Sequence, residues 1–254
     1  MTDLVRITRE AGGVCLIRLN RPEKKNALTG AMYDAMREAL LAADAEGSQT
    51  GAVVFAGVEG AFSAGNDIAD FVARASESFG GAPSLKFIRQ LAATRTPMVA
   101  AVDGIAVGIG TTLTLHCDLV YATPRALFRM PFVDLGLVPE AASSYLLPRR
   151  VGTAKATELL MLAEAFGAEE AARLGLANAV VPSDALLEHA LAQAAKLAAK
   201  PRGALAATRA LIRGDRAAVE AAMDAEAKAF DAALRSPEAQ AAFRAFLEKG
   251  KARA

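Results

Sequence analysis

The chain has 254 residues, 53% hydrophobic and 22% charged. At ~150 residues per domain this allows one large domain or two small ones, with a core that needs no disulfide or metal. Lys plus Arg number 29 and Asp plus Glu 28, a net charge of +1 that predicts neither a nucleic-acid stripe nor strong membrane attraction.

Cys15 and Cys117 are the only cysteines, which excludes a disulfide scaffold and zinc-finger spacing, and no metal site is expected. Residues 1–12 carry Asp3, Arg6, Arg9 and Glu10, so no signal-peptide core is expected there. The final residues Lys251-Ala252-Arg253-Ala254 are no peroxisomal address. The longest uncharged run, 104–117, is too short to span a bilayer. A cytoplasmic protein with no membrane partner is the expectation.

In chain order, 4–9 and 14–19 read as a β-hairpin around the turn Ala11-Gly12-Gly13. A polar loop with Pro22 follows. Thr29 is an N-cap for a helix from about 30 to 45, with Met32, Met36, Ala39, Leu40 and Ala43 at helical spacing. The unalternating apolar runs 52–55, 98–102 and 119–122 read as parallel strands covered on both faces. From about 141 the pattern is mostly helical, with alanine-rich stripes over 184–200, 203–213, 217–234 and 237–249. Lys200-Pro201-Arg202-Gly203 divides a core, 1–200, from a helical region, 201–254.

Two glycine-containing loops follow predicted strands. One is Gly60-Ala61-Phe62-Ser63-Ala64-Gly65-Asn66-Asp67-Ile68, before a helix starting near Asp67. The other, 103–112, contains Gly104, Gly108 and Gly110 and opens an uncharged helix. Both lie where α/β sheets place ligands, and glycine lets backbone approach closely. Two N–H groups converging on one point would make an oxyanion hole. Taken singly, each loop is also consistent with a plain tight turn, and Gly108-x-Gly110 lacks the third glycine of a dinucleotide fingerprint.

The two loops in this order, with 20–28, 97–118, Leu135-Gly136-Leu137-Val138-Pro139-Glu140 and Ala245-Phe246-Leu247-Glu248-Lys249, resemble the crotonase (enoyl-CoA hydratase/isomerase) superfamily over nearly the whole chain. The resemblance implies an α/β fold, a spiral of ββα units with a C-terminal helical trimerisation region, and a homotrimer or hexamer. It implies an acyl-CoA thioester substrate and no separate cofactor, since coenzyme A is part of the substrate. The thioester oxygen would be held by the N–H groups of Asn66 and Ile109, flanked by Gly108 and Gly110. Ala64, Gly65, Asn66, Asp67 and Ile68 would line the adenine and pantetheine path. Lys24 or Lys25 would sit near the phosphates. Phe246 and Lys249, from the same or a neighbouring subunit, would complete that site.

The resemblance also narrows the reaction. Hydratases of the family use two glutamates, and the matching positions here are Thr112 and Phe132. Neither is a carboxylic acid, so water activation by a carboxylate pair is unsupported. Glu140, after Pro139, matches the single base of the Δ3,Δ2-enoyl-CoA isomerase branch, and the flanking 128–132 and 143–145 are similar to that branch too. Phe132, Leu135 and Leu137 would desolvate it and raise its pKa. By its position alone Glu140 also reads as a first-turn helix carboxylate favoured by the dipole.

Asp134 is a minor alternative base, and Asp67 reads as a helix cap or loop brace. Asp70 and Glu77 are candidate substrate contacts, with solvated surface the plainer reading. His116 reads as a core histidine, and His189 has no evident partner. Ser63, Ser143 and Ser144 have no paired histidine, which argues against a serine hydrolase. Another crotonase reaction, such as hydration or thioester hydrolysis, and an acyl-CoA-binding paralogue of weak activity remain as alternatives.

Overall fold

A computed structural model describes residues 3–73 and 81–251, with backbone alone for 71–73 and 249–251. The predicted hairpin forms as β1 (Val5–Glu10) and β2 (Val14–Leu19), with Gly12 and Gly13 both at a φ of +74° in the turn. Thr29 caps α1 (Gly30–Asp44), its hydroxyl accepting from the Met32 N–H. The apolar runs become β3 (Ala52–Ala56), β5 (Met98–Val102) and β7 (Leu119–Ala122). With β10 (Ala179–Val180) they build a six-stranded sheet ordered β1-β2-β3-β5-β7-β10, parallel except for β1 against β2.

Alternation hidden in the apolar runs decides what each face buries. Val53 and Phe55 of β3, with Met98, Ala100 and Val102 of β5, face the main core beside α1 and α3 (Pro83–Ala93). Ala52, Val54, Val99 and Ala101 face the other way, against Leu186, Ala190 and Ala194 of α8 (Leu186–Ala198). A sheet covered on both faces has no polar face, which is why these strands show no hydrophobic alternation in sequence.

A second sheet runs through the two glycine-containing loops and two further segments not expected to be strands. It is ordered β4-β6-β8-β9, from Ala61–Ser63, Ile105–Val107, Leu127–Arg129 and Phe166–Gly167. Strands of two or three residues are too short to show a period, so the sequence reading passed over them. The chain visits the large sheet and then the small one three times: β3 then β4, β5 then β6, β7 then β8. These repeats are the turns of a spiral. Where β5 turns into β6, Gly104 has a φ of +68°, and a Cβ there would lie 1.9 Å from the Gly60 carbonyl oxygen.

The helix expected near Asp67 is α2 (Ile68–Ala73), and the uncharged helix is the short α4 (Ile109–Thr112) continued as a 3-10 turn, Leu113–His116. Beyond residue 141 come α5 (Ser143–Val151), α6 (Thr153–Thr157), a π turn at Glu158–Leu162 and α7 (Ala168–Arg173). The last three helices are α9 (Arg202–Arg213), α10 (Arg216–Leu234) and α11 (Pro237–Lys251). Met223, Phe230 and Phe243, from α10 and α11, enter the same core as the large sheet. By contrast, α9 buries no residue and exposes Leu211 and Ile212. It is tied down through Asp118, at the start of β7, which accepts from Arg209 at 2.8 Å and from Arg213 at 3.0 Å.

Candidate active site

The site lies where the two glycine loops leave the small sheet. β4 and β6 are parallel neighbours, with Ser63 beside Ala106, so both chains emerge on the same side. Their backbones then touch. A Cβ on Gly65 would sit 2.8 Å from the Val107 carbonyl oxygen, and one on Gly110 2.7 Å from that of Ser63. Gly65 and Gly108 also take φ values of +89° and +54°. Close approach therefore requires glycine at 65 and 110, and backbone conformation favours it at 65 and 108.

Asn66 is held beside Leu28, whose N–H donates to the Gly65 carbonyl at 2.7 Å and whose carbonyl accepts from the Asp67 N–H at 2.9 Å. The Asn66 N–H is left over by this pattern. Ile109, the first residue of α4, has an N–H that the helix itself does not use. Among the described residues neither group has a hydrogen-bond partner. The Gly110–Ser63 contact carries an expected result: Gly110→Ala forces α4 away from β4 and lowers kcat/KM about 10²-fold, while circular dichroism shows an intact fold. Wild-type kinetics in that variant would show that the separation of the loops does not matter.

Glu140 is tied to the second loop. Its Oε1 accepts from the Thr112 hydroxyl, one turn along α4 from Ile109, at 2.5 Å. Tyr33 of α1 donates to the Asn66 side-chain oxygen at 2.5 Å, and the Glu140 carboxylate adds to burial in raising the Tyr33 pKa. Glu140 itself is only 6% exposed. Burial pushes its pKa up to about 8; the Thr112 hydrogen bond works against that rise and the nearby Glu226 adds to it. Among the described residues Oε2 has no hydrogen-bond partner. A buried carboxyl titrating near neutrality with one free oxygen can both take and return a proton.

Phe132 is buried and Leu135 partly buried in the same core as Leu137, next to the Glu140 segment. Lys24 and Lys25 are exposed, and their loop joins the first glycine loop through the Ala64 N–H, which donates to the Lys25 carbonyl at 2.9 Å. Asp67 caps α2 by accepting from the Ala69 and Asp70 N–H groups, and pairs with Arg21 at 2.6 Å, so its carboxylate braces the loop ahead of Ile68. Phe246, on α11, is half exposed, and the Lys249 side chain and Glu77 lie outside the described residues.

Asp134 turns outward and pairs with Arg129 at 2.7 Å. Asp70 accepts from the Gly30 N–H at 3.0 Å. His116 is buried, with Nε2–H donating to the Ala141 carbonyl at 2.8 Å; burial lowers its pKa to about 4 and keeps it neutral. His189 packs edge-on against Tyr121. Among the described residues no group of acidic, histidine or cysteine side chains could hold a metal, and no helix is long and apolar enough to cross a membrane.

Sequence reasoning missed Tyr33, Thr112 as a donor, and Glu226. Tyr33 lies on the apolar stripe of α1, and a buried tyrosine needs a partner for its hydroxyl. Glu226 stands among Met223, Phe230 and Leu234, a charge at a core position of its helix. Both signals were present in the helical spacing.

Residues 9–253 match the enoyl-CoA hydratase/isomerase family, and the chain belongs to it, within the crotonase superfamily. It is an enzyme fold of that class, with the spiral core described above. The chain is 42% identical over 192 residues to a probable enoyl-CoA hydratase of Rhizobium meliloti, covering 74% of this chain and 72% of that protein. It is 39% identical over 176 residues to enoyl-CoA delta isomerase 2 of Rattus norvegicus, covering 67% of this chain and 44% of the rat protein. Among solved structures, Pseudomonas aeruginosa OdaA superposes with a TM-score of 0.91 at 43% identity, over 96% of this chain and 99% of that one.

Proposed function

We propose that the protein is a Δ3,Δ2-enoyl-CoA isomerase, moving the double bond of a 3-enoyl-CoA to the conjugated 2-trans position. The observation that carries this reading is the buried carboxylate of Glu140, hydrogen-bonded to Thr112, the position where a family hydratase has a glutamate. Phe132, at the second hydratase position, offers no acid either. The rat relative bears an isomerase name; the Rhizobium relative bears a hydratase name.

The chemistry balances with one base. Glu140 takes a proton from C2, and the C2–H electrons pass into a dienolate whose negative charge lies on the thioester oxygen. The N–H groups of Asn66 and Ile109 stabilise that oxygen, each worth about 2.7–4 kcal/mol by analogy with other oxyanion holes. The proton then returns from Glu140 to C4, the carbonyl reforms, and the double bond lies between C2 and C3. No water enters and no cofactor is consumed.

In this reading Ala64, Gly65, Asp67 and Ile68 border the adenine and pantetheine path, beside the N–H of Asn66. Gly108 and Gly110 shape the hole, and Phe132 and Leu135 border the acyl chain. Lys24, Lys25, Phe246 and Lys249 serve the coenzyme A phosphates and adenine. The working form is a homotrimer or hexamer in the cytoplasm.

Incubation with trans-3-octenoyl-CoA tests the reaction directly. The expected result is growth of the conjugated thioester absorbance with no 3-hydroxyacyl product. Accumulation of the 3-hydroxy thioester from 2-octenoyl-CoA would make the protein a hydratase instead. Thioester binding without either product would leave an acyl-CoA-binding paralogue.

A further inference from the structure

Glu226 lies on α10, eighty-odd residues beyond the site, yet its carboxylate is spent on the turn that follows Glu140. It accepts from the Ala142 N–H at 2.6 Å, the Ser144 N–H at 2.9 Å and the Ser144 hydroxyl at 2.5 Å. That turn is strained: Ala141 and Ala142 are consecutive non-glycine residues with φ of +59° and +53°. Such conformations persist only where the surroundings over-determine them. Here the hold is two-sided, with His116 donating to the Ala141 carbonyl. Glu140 and Glu226 also line one small cavity, walled by Leu85, Ile88, Met223 and Phe230.

We propose that Glu226 is a positioning residue for Glu140, fixing the strained turn so that the Glu140 carboxylate meets the acyl chain from one direction, and acting on its proton affinity through the shared cavity. The proposal rests on the isomerase reading for the reaction that Glu140 performs. Toward Glu140, α1 presents Tyr33, neutral because burial and the Glu140 charge both raise its pKa. The turn after α4 presents His116, also neutral. α3 presents the apolar Leu85 and Ile88, and α10 presents Glu226. Glu226 is the group of this set whose charge bears on Glu140, and a like charge disfavours ionisation. Removing it therefore lowers the Glu140 pKa.

The test is a carbon-13 titration of the Glu140 carboxyl, assigned by its loss in Glu140→Gln, together with kcat and KM for trans-3-octenoyl-CoA. Glu226→Gln should lower the Glu140 midpoint by about one pH unit. It should also lower kcat roughly ten- to a hundredfold, with KM little changed. Glu226→Asp keeps the charge but is too short to span three donors; it should lower kcat and leave the midpoint in place. A folded Glu226→Gln protein with the wild-type midpoint and kcat overturns the proposal. If that variant does not fold, Ser144→Ala decides, since it removes one of the three bonds and keeps the charge: reduced kcat supports the role, wild-type kcat overturns it. The titration needs no turnover. A shifted midpoint in a protein without isomerase activity supports the coupling and overturns only the reaction assigned to Glu140.

Discussion

Glu140→Gln should lower the rate of double-bond migration by about 10²–10⁴-fold while leaving the affinity for an acyl-CoA within a few-fold of wild type. The amide keeps the shape of the side chain and can still accept from Thr112, so the site stays assembled. What it loses, in the proposed reaction, is the ability to take a proton from C2 and hand it to C4. Stopped-flow absorbance of the conjugated product measures the rate, and calorimetry with an unreactive acyl-CoA measures binding. Near wild-type turnover would remove Glu140 from the chemistry.

The same variant has a consequence for stability, with a definite sign. The folded-state pKa of Glu140 is pushed up to about 8, against 4.5 ordinarily. Below 4.5 the carboxyl is protonated both folded and unfolded, and burial carries no charge penalty. Between 4.5 and 8 the unfolded chain releases the proton while the folded one keeps it, so wild-type stability falls as pH rises. Gln does not titrate. Glu140→Gln should therefore melt higher than wild type at pH 8, with the gap closing toward pH 4.

Asp118→Ala should be the most damaging single change away from the active site. Asp118 accepts from the Met98 N–H at 2.8 Å, from Arg209 at 2.8 and 2.9 Å, and from Arg213 at 3.0 and 3.2 Å. The Arg209 side chain is nine-tenths buried, and burial already lowers the pKa of Arg213. Removing the one carboxylate leaves two arginines side by side with backbone carbonyls but no counter-charge, which typically costs about 3–5 kcal/mol. In a chain of this size that is a fall in Tm of roughly 10 °C. Glu220→Ala, which breaks the exposed pair with Arg216, is the contrast and should change Tm by very little. Equal melting of the two variants would show that Asp118 does not anchor α9.

Legibility in the sequence followed the length of each signal. The hairpin, α1 with its Thr29 cap and the three apolar strands of the large sheet were readable, because each carries several residues of pattern or a turn of fixed chemistry. The small sheet was not: β4, β6 and β8 have three residues each, and their pairing is long-range. Yet that sheet is what brings the glycine loops together. The loops were found through glycine, whose presence marks close approach even where the approaching partner is unknown. Glu140 was found by resemblance, since by position alone it reads as a helix-end carboxylate. Glu226 escaped because its partners, Ala142 and Ser144, are backbone groups and a hydroxyl with no distinctive spacing.

The contact between the two loops is backbone on backbone, through Gly65 against Val107 and Gly110 against Ser63. Side chains elsewhere around the acyl chain can therefore be exchanged without moving the paired N–H groups. That separates two properties under selection. On the proposed reading, the means of stabilising an enolate is locked into main chain, while the groups that choose the substrate and move its protons remain free to vary. A scaffold divided in this way can acquire a new reaction by a few substitutions, such as Thr112 or Phe132 to glutamate, without having to rebuild its anion hole.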